Sequence, residues 1–174
     1  MIGQVVGNIL RFLFLILLQA LVLDHLDVAN GMVVPSLYVL FVLMLPFELP
    51  AWALLLLGFG TGSVMDVFTS TPGMHAAACT VLAYARPHVL RLIAPREGYE
   101  FGLQPTVQDM GLSWAFTYIG LLVLLHHLTL FQLEAFGSGS WWRTLLRILL
   151  SSTATLLLCL LAQWLTARPV RGRT

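Results

Sequence analysis

Asp66 is the residue whose presence most needs a reason. It ends the apolar run Leu57-Gly58-Phe59-Gly60-Thr61-Gly62-Ser63-Val64-Met65-Asp66, just ahead of Thr69-Ser70-Thr71-Pro72-Gly73. A carboxylate within or beside a membrane span is costly enough to require a partner or a task. His75 follows one loop later, His126-His127 lies late in another apolar run, and Ser151-Ser152-Thr153 with Thr155 lies in the last one. Carboxylates and histidines can hold a metal or move protons, and a serine beside a base can attack a carbonyl. None of these sets completes itself. Neighbours on a helix point about 100° apart, so His126 and His127 cannot both face one metal. One packed histidine and one near the outer interface are expected instead. Asp66 with His75 makes two ligands and no site. The serines and threonines have no base, and Gly58, Gly60 and Gly62 lack the strand–turn–helix setting of a phosphate loop. The expectation is no catalytic residue, no metal set, no cofactor and no enzyme.

The elements that would position these residues are membrane spans. The chain has 174 residues, 59% of them hydrophobic and 10% charged, with a mean hydropathy of +0.89. Soluble domains carry about a quarter charged residues. A net charge of +1 points to no nucleic-acid partner. Cys79 and Cys159 sit inside apolar runs at no metal or redox spacing and read as small packers. The apolar run after Arg11 outlasts a usual signal-peptide core and has no clear cleavage signature, so it reads as a retained span. An all-α integral membrane protein is expected, its residues 1–174 forming one domain with six spans in one compact bundle. The spans fall at about 5–23, 33–49, 51–68, 73–94, 111–131 and 142–166, near the ~20 residues a bilayer needs. Pro35 and Pro46 predict a kinked or tilted second span, joined to the third by a tight hairpin. Arg86-Pro87 predicts a break in the fourth, after which 88–94 continues as an amphipathic surface segment.

The chain has no lysine, so arginines set orientation. Arg11, Arg86, Arg91, Arg96, Arg168, Arg171 and Arg173 fall on one side, and Arg143 and Arg147 on the other. That bias predicts both termini in the cytoplasm. All five tryptophans, Trp52, Trp114, Trp141, Trp142 and Trp164, lie near span ends, where indole favours the interface.

Gly62-x-x-x-Asp66-x-Phe68, followed by Pro72-Gly73 and the alanine-rich Ala76-Ala77-Ala78, resembles the rod shape-determining MreD family. The matching positions are Gly62, Asp66 and Gly73, and the Arg86-Pro87 pair and Pro46-containing hairpin are similar to one branch of it. Span number, size and loop pattern extend the resemblance over almost the whole chain. It implies a non-enzymatic part of the bacterial cell-elongation machinery in the inner membrane. The implied partners are the scaffold MreC and, through it, the MreB filament and the polymerase–transpeptidase pair that builds peptidoglycan. The implied fold is a six-helix bundle similar to the substrate-binding subunits of energy-coupling-factor vitamin transporters. Such a subunit is itself the main alternative. Its docking span carries small residues four apart, whereas Phe12 to Leu21 is bulky almost throughout. A small membrane enzyme is a weaker alternative.

Three expectations name residues. Asp66 bonds to Arg143 or Arg147, fixing span three to span six, or else caps the Thr69–Gly73 turn. Gly58, Gly62, Gly73, Ala76, Ala77 and Ala83 form a close-packing face, used within the chain or by a partner helix. Arg86, Arg91 and Arg96 contact headgroups of the inner leaflet, or else only fix the topology.

Overall fold

A computed structural model describes residues 2–26, 28–136 and 140–166. Asp27 and the tail arginines Arg168, Arg171 and Arg173 lie outside the described residues. Seven α-helices occur among them: α1 Ile2–Leu21, α2 Val39–Leu43, α3 Ala51–Thr69, α4 Met74–Leu92, α5 Val107–Met110, α6 Leu112–Glu134 and α7 Trp141–Leu165. No strand is present among the described residues, only an isolated bridge between Val28 and Val33. Among the described residues, four stretches are long and apolar enough to cross a membrane: 6–25, which covers most of α1 and the turn after it, α3, α6 and α7. This is the architecture of an α-helical membrane protein. α4 matches α3 in length, but His75, Arg86, His88 and Arg91 make it more polar, and it is not among the four.

Helix limits follow local chemistry. Pro50 presets the backbone ahead of α3, and Ser70 ends it in the left-handed region at φ 55°. Gly73, at φ +85°, turns the chain into α4 where a side chain would be strained. Pro87 does not break α4, which runs on to Leu92. The proline forfeits one main-chain bond, but Arg86 beside it is anchored in the interior and Leu90 is buried one turn on, which holds the helix through the fault. The expected break is therefore corrected. Thr106 starts α5 by accepting the Asp109 amide at 3.3 Å. In the preceding loop the Tyr99 hydroxyl donates to the Leu90 carbonyl at 2.8 Å, and its ring stacks on Phe47 at 4.5 Å between centroids. Partial burial pushes the Tyr99 phenol above its ordinary range.

α3, α4, α6 and α7 pack in sequence, each mainly on the next, while α1 touches the rest lightly. The core lies between them, and its centre is the second apolar segment. Instead of a kinked span, residues 33–49 hold only five residues of α-helix, α2, between irregular stretches. Tyr38, Val39, Val42 and Leu43 are fully buried. Two prolines set the limits. Pro35 fixes the entry, and Pro46 disfavours helical backbone at Leu45. The segment is a strap threaded through the bundle.

Candidate functional site

An irregular segment inside an apolar bundle leaves amides and carbonyls without main-chain partners, which is tolerable only where protein groups replace water. Every surrounding long helix except α3 supplies such groups. From α1, Gln19 accepts the Leu37 amide at 2.8 Å and donates to the Pro35 carbonyl at 2.9 Å. From α7, the Ser151 hydroxyl accepts the Val34 amide at 2.9 Å and the Thr155 hydroxyl accepts the Ser36 amide at 2.9 Å. Ser151 and Thr155 are one helical turn apart, so both face the strap. From α6, the Tyr118 hydroxyl donates to the Leu43 carbonyl at 2.9 Å. From α4, Arg86 donates through Nε to the Tyr118 hydroxyl at 2.7 Å and through its two terminal nitrogens to the Leu45 and Pro46 carbonyls.

His127 joins the same seam. Its Nδ1 lies 3.0 Å from the Val123 carbonyl, and its Nε2 lies 3.3 Å from the Val34 carbonyl and 3.4 Å from the Thr155 hydroxyl. A proton on Nδ1 lets Nε2 accept from Thr155, whereas a proton on Nε2 is given to Val34. Beside it, the Tyr38 hydroxyl bridges two histidines, 2.7 Å from His75 Nδ1 and 3.0 Å from His126 Nε2. One hydroxyl carries one proton, so Tyr38 donates to one ring and accepts from the other. His126 Nδ1 is buried with no hydrogen-bond partner of good geometry among the described residues. Both His126 and His127 are fully buried, which corrects the expectation that one would lie near an interface. Among the described residues no three histidine, cysteine or carboxylate groups are placed to hold a metal ion.

Asp66 belongs to the α3–α4 turn. Its Oδ1 accepts the His75 amide at 2.9 Å and the Thr71 hydroxyl at 3.3 Å, and its Oδ2 accepts the amides of Gly73 at 3.0 Å and Ala76 at 3.1 Å. One carboxylate thus closes the exposed amides at the start of α4 and sits at its positive end. The expected ion pair is corrected: Asp66 caps the turn and bonds to neither Arg143 nor Arg147. Arg147 pairs with Glu134 at 2.7 Å instead. With its oxygens occupied by nearby donors, Asp66 needs no cation from another helix.

The small residues serve α3–α4 packing within the chain. A Cβ on Gly62 would stand 2.3 Å from the His75 carbonyl oxygen and 2.5 Å from the Ala76 Cα. One on Gly58 would stand 2.7 Å from the Ala83 Cβ and 3.0 Å from the Cys79 carbonyl oxygen. Ala76 and Ala83 are buried in the same contact, Ala77 is half-buried, and Gly73 is exposed at the turn. The inner-leaflet expectation is corrected for Arg86, which is 1% exposed and fastened to the strap. Arg91 and Arg96 are exposed.

The roles of Gln19, Tyr38, Tyr118 and Arg86 escape a reading by spans. The available signals were an isolated glutamine inside an otherwise apolar run and the four-residue spacing of Ser151 and Thr155. No family model, curated protein or solved structure matches the chain.

Proposed function

We propose that this protein is a non-enzymatic, MreD-type component of the bacterial cell-elongation machinery, held in the inner membrane with both termini in the cytoplasm. One observation carries the proposal. The Gly62, Asp66 and Gly73 motif is spent entirely on architecture: Gly62 admits the α4 backbone, Gly73 turns the chain, and Asp66 closes the amides of that turn. A motif used in this way supports a membrane scaffold whose product is a rigid surface. The partner implied by the resemblance is MreC, linked through it to the MreB filament and the polymerase–transpeptidase pair. Six passes, with the strap and α4 each counted as one, fit this reading.

Affinity purification of the full chain from its native membrane tests it. The expected result is co-purification of MreC, and depletion of the protein should turn rod-shaped cells round. Recovery of a stoichiometric vitamin with the energising subunits of a transporter, and no MreC, would replace this reading with the transporter one.

A further inference from the structure

Where α6 ends and α7 begins, a pocket of about 300 Å³ is lined by Phe131, Glu134, Ser140, Arg143, Thr144 and Arg147. Arg143 and Arg147 are four residues apart and share one helix face. Arg147 is fixed from two sides. One terminal nitrogen donates to Glu134 at 2.7 Å, and the guanidinium carbon lies 4.5 Å from the centroid of the Phe131 ring. Its Nε is buried and has no acceptor among the described residues. Arg143 is exposed at the pocket wall, with no hydrogen bond or ion pair among the described residues. Among the described residues that line it, two guanidinium groups face a single carboxylate, an excess of positive charge.

The other polar groups present add donors. The first α7 amide bonded within the helix is that of Thr144, which donates to the Ser140 carbonyl at 3.2 Å. The amides of Trp141, Trp142 and Arg143 therefore have no acceptor within the helix. The Ser140 side chain makes no capping bond. Thr144 donates its hydroxyl back to the Ser140 carbonyl at 3.3 Å. Donors come from two arginines and a helix start, and Glu134 offers them one carboxylate, whose Oε1 is taken by Arg147. A tetrahedral oxyanion can accept from all of them. Trp141 and Trp142, 69% and 67% exposed, stand between the lining residues Ser140 and Arg143 in the chain, at the end of a membrane-length helix. Indole rings at that position mark headgroup depth.

We propose that this pocket binds a phosphate monoester, carried by a phospholipid headgroup, or the free phosphate ion, with Arg143 and Arg147 as its principal ligands. The site is independent of the scaffold function proposed above. Purified full-length protein in non-ionic detergent is titrated with phosphatidic acid and with phosphatidylcholine, and retained lipid is counted by native mass spectrometry. In parallel, thermal unfolding is followed in inorganic phosphate and in chloride at equal ionic strength. Wild type should retain phosphatidic acid about tenfold better than phosphatidylcholine, and Arg143→Gln should remove that preference. Arg143 is exposed and has no partner among the described residues, so this variant keeps the fold, and its unchanged melting temperature in chloride verifies that. Stabilisation by inorganic phosphate that Arg143→Gln abolishes identifies free phosphate as a ligand and also supports the site. Equal retention of the two lipids, together with no phosphate stabilisation or one that Arg143→Gln leaves intact, overturns the proposal.

Discussion

Asp66→Asn tests the α3–α4 turn with a minimal change of shape. Each carboxylate oxygen of Asp66 serves two donors, Thr71 and His75 on one side, Gly73 and Ala76 on the other. Asparagine must present its amino group to one of these pairs, setting donor against donor. A hydrogen bond to a charged acceptor is worth about 1.5–3 kcal/mol, and losing a negative charge at a helix start costs about 0.3–2 kcal/mol more. The expected loss is about 3–5 kcal/mol, because the turn relaxes partly and one oxygen remains. At roughly 2–4 °C per kcal/mol for a chain of this size, the melting temperature should fall by about 10 °C. Cys79 and Cys159 are buried, so a thiol-reactive fluorescent dye reports unfolding directly. Arg143→Gln in the same assay should change little. A shift under about 2 °C for Asp66→Asn would refute the capping account, and an equal large loss in both variants would favour a long-range ion pair instead.

Three further substitutions probe the packing and the seam. Gly62→Ala drives a methyl into the α4 backbone and should lower the melting temperature clearly, whereas Gly60→Ala, with nothing within 4 Å of its Cβ, should hold or raise it. Equal effects of the two in the same dye assay would contradict the close approach. Tyr38→Phe strands a nitrogen on both His75 and His126 and should cost about 1–3 kcal/mol for each group left unpaired, read as a lower midpoint in a denaturing-detergent titration. Ser70→Gly should stabilise the protein by up to about 1 kcal/mol, because Ser70 holds φ 55°; a lower melting temperature would show that the serine hydroxyl matters more than its backbone.

Apolar periodicity and proline positions located α1, α3, α6 and α7 to within a few residues, because each buries a face along a continuous helix. The same reasoning misplaced the second segment. An apolar run between prolines reads as a span whether its amides bond within a helix or to side chains far along the chain, and only the surrounding polar groups tell the two apart. Those groups were visible singly: Gln19 in α1, Ser151 and Thr155 in α7, Arg86 beside Pro87. Each has a simple local explanation, back-bonding for the hydroxyls and headgroup contact for the arginine, and their convergence on one strap is a tertiary fact. Asp66 shows the opposite case. Its importance was plain in the sequence, and one of the two roles open to it, capping the turn, is the role the fold assigns. The expected pairing with Arg143 or Arg147 left out how many amides a helix start offers within reach of the same carboxylate.

The most direct test of the strap is residue-resolved amide hydrogen exchange over residues 33–38 in the detergent-solubilised protein. The Val34, Ser36 and Leu37 amides donate to Ser151, Thr155 and Gln19, so all three should exchange slowly in the wild type. Thr155→Val should speed exchange at Ser36, and Gln19→Leu at Leu37, each leaving α3 and α6 protected. Exchange at these amides that neither substitution changes would mean main-chain bonds hold them, and the second segment would be an ordinary helix.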